Sequence, residues 1–444
     1  MRFLETNLRM IKTESSNIDD KEHGVNSPQV YNVSLLMAFL ANVFQLIAVS
    51  LLFRYSDFVN VLGGDEWHLG WIVGIASFGA IACRLIQGTA IDHFGPGKVW
   101  IISLLGEIVA IAWHLGIDSV SGVEVYLARS LFAMSLAGTF GAWISFISLQ
   151  APHQRIAEVI GVIGSSGFVG MAIGPTIGDW LFAESGPYTE KVEQMFHVAA
   201  ITATISLLFA ALAWWLANRR GLLKPNPRAV FENPLRVIWK SQPGFILVIG
   251  MLMGLTIGFP GTYLRPFAES LNIENIKSFF IIYNVVAFVS RLLFRNAPQV
   301  LGLSNTILLG FGFMALSMSL YLPMQSREEF WLPATAGGLA HCFLFPSVVA
   351  ACTNRFSKTH RGIATQLILG MYDLGVLIGM PVIGYLVIEA RAKGLEPYPF
   401  TIKSLLGTIV TISLIYLAIE RFERWKNRRG AKPTKPSGQD SNQV

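Results

Sequence analysis

Gly88-Thr89-Ala90-Ile91-Asp92-His93-Phe94-Gly95-Pro96-Gly97-Lys98 joins two apolar runs, residues 69–91 and 98–117. Each run has about the 20 residues that a helix needs to cross a bilayer core. Gly95 and Gly97 permit a tight reversal back into the membrane, and Gly88 lets a second helix approach closely. Asp92, at a helix end beside basic residues, is placed to hold an inter-helix ion pair. The stretch therefore reads as the turn of a helical hairpin that passes twice through lipid.

The composition extends that reading to the whole chain. Of 444 residues, 52% are hydrophobic and 14% charged, where a soluble protein carries roughly 25% charged residues. Mean hydropathy is +0.51. An ordinary soluble enzyme, a disordered chain and a coiled coil are excluded. Twelve apolar stretches follow one another: 31–53, 69–91, 98–117, 122–150, 157–183, 194–217, 244–265, 277–297, 303–321, 330–353, 361–390 and 400–420. They are too long, and alternate too little, for barrel strands. Only helices and closed barrels satisfy the backbone in lipid, so the expected fold is an all-α membrane protein of twelve transmembrane helices.

With the N-terminus inside, the inner segments hold 23 Lys and Arg and the outer segments 7. That bias sets both termini in the cytoplasm, in the cell's inner membrane. The expected organisation is a tail (1–30), a six-helix half (31–217), a basic central loop (218–243), a second six-helix half (244–420) and a basic tail (421–444). The first thirty residues are polar, so no signal peptide is expected and the first run is a permanent span. The net charge of +6 sits in loops and tails, which suits an anionic leaflet and not nucleic acid. Cys83, Cys342 and Cys352 lie within apolar segments, without metal spacing and as an odd count. No metal and no cofactor are expected.

The halves repeat. At an offset of 206, Arg155 meets Arg361, Gly164 meets Gly370, Pro175 meets Pro381 and Gly178 meets Gly384. At 207, Arg84 meets Arg291 and Gly95 meets Gly302. Two pseudo-symmetric halves with a site between them are a transporter design, because one half can rock against the other.

The loop at 88–98 resembles the signature loop of the major facilitator superfamily: glycine, three residues, aspartate, a basic residue, one residue, glycine. His93 stands where the usual Arg or Lys follows the aspartate, and Pro96 replaces a later basic position. Gln299 occupies the aspartate position of the second half. The run Gly170-Met171-Ala172-Ile173-Gly174-Pro175-Thr176-Ile177-Gly178-Asp179 resembles the family's fifth-helix motif, with Asp179 for the last glycine. The resemblance covers about residues 31–420; its fifth-helix motif implies antiport, as in sugar and drug exporters, with a plain packing face in any facilitator as the alternative. It likens Arg129, with Gly138 further on, to the fourth-helix arginine tied to proton coupling. Physically, Pro175 should kink its helix, and Gly174 and Gly178 should offer a smooth packing face. Arg84, Arg291 and Pro381 complete the expected gating set.

A charged group deep in a span is a functional hypothesis by default. At about 1.5 Å per residue, Glu107, His341 and Asp373 lie near the midplane. Asp373 is the first proton-carrier candidate, Glu107 and Arg129 the next. The plain alternatives are a salt bridge or hydrogen-bonded core position for Asp373 and a structural partnership with a nearby acid for Arg129; for Glu107, the resemblance implies a span that often faces lipid or its neighbours. Asn42, Gln45, Trp143, Tyr263, Tyr283, Asn284 and His341 are the candidates to line a substrate cavity, with core packing as the plain reading of Trp143 and His341. The function expected is secondary transport of a small molecule by alternating access, as proton-coupled efflux of a sugar-like or drug-like solute, from a monomer in the bilayer. Symport or facilitated uptake of a monocarboxylate or sugar is the alternative, and a non-transporting sensor the remote one. No phosphate-binding loop and no nucleophile elbow occur, so no enzyme is expected.

Overall fold

The computed structural model describes residues 31–151, 156–221, 234–241, 243–294, 296–357 and 361–430. The N-terminal tail, Arg155, most of the central loop and the end of the C-terminal tail lie outside them. The described residues are almost wholly helical.

The first crossing is α1 (Val33–Leu51), which passes through a 3-10 turn at Leu52–Arg54 into α2 (Tyr55–Val61). Then come α3 (Glu66–Phe94), α4 (Pro96–Trp113) and α5 (Val123–Gln150). The fifth crossing is split into α6 (Ile156–Gly164) and α7 (Ser166–Ala183), and α8 (Tyr188–Arg219) closes the first half. A short α9 (Pro234–Ser241) precedes the second half. Its crossings are α10 (Ile246–Ser270), α11 (Lys277–Leu293), α13 (Leu303–Leu320), α14 (Trp331–Thr353), α15 (Arg361–Ala392) and α16 (Pro397–Gly430), with a one-turn α12 (Ala297–Leu301) before α13.

Ten of these segments are long and apolar enough to cross a membrane on those grounds alone. The other two crossings are the split fifth and the 17-residue α11. The fifth is interrupted at Ser165 and stays helical through Pro175, so the break does not fall where the proline suggested. The hydroxyls of Ser165 and Ser166 donate to Val162 O and Ile163 O at 2.6 Å, which competes with the helical ladder.

The repeat is visible in the backbone. Gly95, between α3 and α4, has φ 83° and ψ 151°; Gly302, between α12 and α13, has φ 82° and ψ 152°. Both lie in the left-handed half of the map, which only glycine enters without strain. In each half a glycine-bearing helix also lies tight against the half's first helix. A methyl at Gly174 would stand 2.0 Å from Ser50 Oγ on α1, and one at Gly375 would stand 2.0 Å from Met251 O on α10.

The outer surface is apolar: Phe78, Ile102 and Leu208 are each about two-thirds exposed. In water such a surface would be a large sticky patch; here it faces lipid, and the chain is a multi-pass integral membrane protein. Two seams join the halves, α3 along α15 and α7 along α11. We call the end that holds Val33, Gly95 and Gly302 the terminal face, and the end that holds residues 52–66 and 270–277 the far face.

Candidate functional site

Among the described residues, charged hydrogen bonds concentrate at the far face between the halves. The 3-10 turn after α1 aims Arg54 inward, where 2% of its side chain is exposed. Arg54 Nη1 donates to Asp57 Oδ2 (2.8 Å), and Nη2 donates to Asp179 Oδ1 (2.7 Å) and to Glu274 O (2.8 Å). From the other half, Arg265 Nε donates to Asp57 Oδ1 (3.1 Å). The backbone N–H of Lys277 donates to Asp179 Oδ2 (2.7 Å), and Tyr188 Oη to Asp57 Oδ1 (2.7 Å). Two arginines and two aspartates thus pair in a buried cluster, and Arg265 Nη2 also reaches the part-exposed Glu269 (2.9 Å) at its edge. Removing one partner of such a buried pair leaves a lone charge and costs about 3–5 kcal/mol.

A second tie lies beside it. Glu66, at the first position of α3, accepts from Arg391 Nη2 (2.7 Å) and from Tyr398 Oη (3.1 Å). Tyr263 Oη donates to Met380 O (2.8 Å) and lies 3.1 Å from Glu66 O. A cavity of about 440 Å³ opens here, lined by Asp65, Glu66, Glu269, Arg391 and Tyr398 among others.

Deeper, toward the terminal face, the described residues of the α3/α15 seam include a further ion pair. Arg84 Nε donates to Asp373 Oδ2, and Nη1 lies 3.5 Å from Gln366 Oε1. Both side chains of the pair are about nine-tenths buried. The gating candidate Arg84 and the proton candidate Asp373 are therefore one unit. Pro381 packs on the same seam, where a methyl on Gly74 would come within 2.7 Å of its ring.

Arg291, the counterpart of Arg84, has no such partner among the described residues. Its guanidinium lies 5.2 Å from the centre of the Phe168 ring, across the α7/α11 seam. The other two proton candidates stand apart from Asp373 and from each other. Glu107 is fully buried and accepts from Gln45 Nε2 (2.9 Å), while its Oε1 has no partner. Arg129 stacks over Tyr55 (4.2 Å) and Phe132 (4.9 Å), and its Nη1 is buried without a hydrogen bond.

The expected cavity residues divide. Tyr283 and His341 meet in a 2.9 Å hydrogen bond between α11 and α14. Asn284 donates to Phe280 O on its own helix and keeps a buried, unpartnered Oδ1. Asn42 donates to Ser166 Oγ (2.7 Å), tying α1 to α7. Gln45 serves Glu107. Trp143 is instead a packing residue: it is 3% exposed and its Nε1 donates to Ala38 O (3.1 Å). Tyr263 is likewise fully buried and belongs to the far-face tie, because two carbonyls hold its hydroxyl. Gly88 and Asp92 lie on α3, but their surroundings are outside the described residues. In the linear sequence Arg54, Asp57 and Glu66 read as loop charges, and Asp179 as a motif departure. The i, i+3 spacing of Arg54 and Asp57 at a span's end is the signal that could have found them.

The sequence profile of the Major Facilitator Superfamily matches residues 31–326 and 299–439. An uncharacterised MFS-type transporter of Methanocaldococcus jannaschii is 24% identical over 377 residues, covering 82% of this chain and 92% of that one. One from Mycobacterium tuberculosis is 22% identical over 349 residues, covering 74% and 80%. Among solved structures, the nucleoside transporter NupG superposes with a TM-score of 0.71 at 14% identity, over 87% of this chain and 99% of that chain. A bacterial homologue of the human lysosomal transporter Spinster, inward-facing and unoccupied, gives 0.65 at 14% identity, over 88% and 96%. At these identities the structures speak for the fold alone.

Proposed function

The chain belongs to the Major Facilitator Superfamily and is a transporter by family, and we propose that it performs proton-coupled efflux of a small solute by alternating access. In this reading the terminal face is cytoplasmic, the membrane is the cell's inner membrane, and a monomer suffices. The six-helix halves, 31–217 and 244–420, rock about the two seams. The far-face network keeps the outside closed while the solute site communicates with the cytoplasm.

One observation carries the proton coupling. Asp373 and Arg84 form an ion pair between the halves, nine-tenths buried on both sides. A proton arriving on Asp373 cancels the charge that holds Arg84, so protonation and loosening of the α3/α15 seam become one event. Glu107 and Arg129, each with a buried atom lacking a partner, are the next and separate candidates for the proton step. Gly88, Asp92 and Gly95 form the terminal-face gate, and Gly174, Pro175 and Gly178 the packed face on which α7 moves. Tyr283, Asn284 and His341 supply the polar lining of the solute site.

A second reading, uptake of a monocarboxylate or sugar, is favoured by Arg291, a seam cation with no paired acid among the described residues. The deciding experiment uses purified protein in liposomes that enclose a pH-sensitive dye. Sugars, organic acids and lipophilic cations are offered against an imposed pH gradient. Proton movement opposite to solute flux supports antiport. Proton movement with the solute replaces it by symport, and solute flux without a proton signal removes Asp373 from coupling.

A further inference from the structure

Arg291 lies on the buried face of α11, in register with Phe280, Asn284 and Ala287. Its Nε is buried and donates to nothing, and no carboxylate among the described residues pairs with it. Arg291 is part-buried as a whole, and a guanidinium N–H shut away from water is costly unless something accepts from it.

The opposite seam shows what is missing. The repeat sets Arg84 as the counterpart of Arg291 at offset 207. On the facing helices, offset 206 sets Asp373 opposite Gly167 and Gln366 opposite Ile160. Arg84 has Asp373 and Gln366 as acceptors; the register puts a glycine and an isoleucine at those positions for Arg291. A methyl built on Gly167 would meet only Asn42 Nδ2, at 3.8 Å. Where one seam carries the Asp373 side chain, the other carries none at the matching position.

We propose that this gap is a subsite for the carboxylate of a small organic anion, with Arg291 as its binding cation. The other seam answers its arginine with a single carboxylate, and one guanidinium balances one negative charge; a dianion would bury an excess charge. The body of the anion is apolar or ring-shaped, because Phe168 and Phe288 wall the seam with their ring centres 5.9 Å apart. Asn284 Oδ1, a buried acceptor without a donor, lies roughly 10 Å along the same helix face, where it suits a hydroxyl or N–H at the ligand's other end. This inference names the solute class of the transport reading and rests on that reading, whichever way the solute moves.

The test measures binding to the purified full-length chain by calorimetry. The probe is benzoate, with benzyl alcohol as its uncharged analogue and phenyl phosphate as a dianion. Benzoate should bind and benzyl alcohol should not. Arg291→Gln should weaken benzoate at least about tenfold, the scale of a charge-assisted hydrogen bond, and Arg291→Lys less. Gly167→Asp supplies the acid that the other seam already has; it should abolish benzoate binding while the thermal transition stays intact. Benzoate binding no better than benzyl alcohol, or unchanged in Arg291→Gln or Gly167→Asp, overturns the proposal, and preference for phenyl phosphate overturns its carboxylate class. A wild-type chain that moves another solute in liposomes but binds no carboxylate loses this inference and keeps the transport reading. A chain that binds benzoate at Arg291 yet moves no solute keeps the site and loses the transport reading.

Discussion

The two seams between the halves are built on the same plan and held by different forces. Along α3/α15, charge runs the whole way, from Glu66 with Arg391 at the far face to Asp373 with Arg84 deep in the bundle. Along α7/α11, the ion pairing among the described residues is confined to the far face, where Asp179 meets Arg54 and the Lys277 amide. Deeper in that seam the contacts are aromatic, Phe168 with Phe288 and with the Arg291 guanidinium. Coulomb attraction fixes a geometry and answers to protons, whereas ring packing tolerates sliding. The pseudo-symmetry thus sets where the seams lie, and the side chains make one a switch and the other a sliding surface.

That contrast breaks most heavily at the point the seams share. Arg54→Leu strands Asp179 and half of Asp57, and should destabilise the far-face closure by about 3–5 kcal/mol. Cysteines placed at exposed far-face positions and labelled from outside would report it as a large rise in accessibility; unchanged labelling would show that the network does not hold the closed form. Asp373→Asn should come next. It should abolish proton-coupled transport while the chain still folds, because the amide keeps the shape and accepts from Arg84 without charge. Coupling that survives in liposomes would return Asp373 to a structural role. Gly174→Val strikes the packing on α1, where Ser50 Oγ already stands inside van der Waals distance of any added methyl. Overpacking of this kind costs about 1–3 kcal/mol, read as a lower thermal midpoint. The smallest effect belongs to Arg391→Gln. Arg391 is about half exposed, and such pairs are worth roughly 1 kcal/mol or less; a midpoint shift as large as that of Gly174→Val would contradict the ranking.

Much of the fold was legible because hydropathy and the repeat are long-range averages that do not depend on packing. Arg84 with Arg291 and Gly95 with Gly302 could be matched by register alone, and the two glycines share one backbone conformation. The fifth crossing was legible as a glycine-rich face, but its interruption at Ser165 depends on two serine hydroxyls turned onto the preceding carbonyls. The site was less legible because it depends on which face of each helix looks inward. Trp143 and Tyr263 stand at plausible depths yet point into the packed interior. Arg54 and Asp57 read as loop charges, since nothing in the linear sequence says that a 3-10 turn folds them between the halves. Arg84 and Asp373 are separated by most of the chain, and only the α3/α15 packing makes them a pair.

The bond from the Lys277 amide to Asp179 has a consequence in time. Lys277 is the first residue of α11, where a helix has no backbone acceptor of its own, and the acceptor it uses belongs to the other half. Its N–H is shielded only while the far face is shut. Each parting of the halves uncaps α11 and exposes that proton to solvent, so its hydrogen-exchange rate follows the population of the opened form. A single amide thereby serves as a clock for the cycle, readable without knowing what the protein carries.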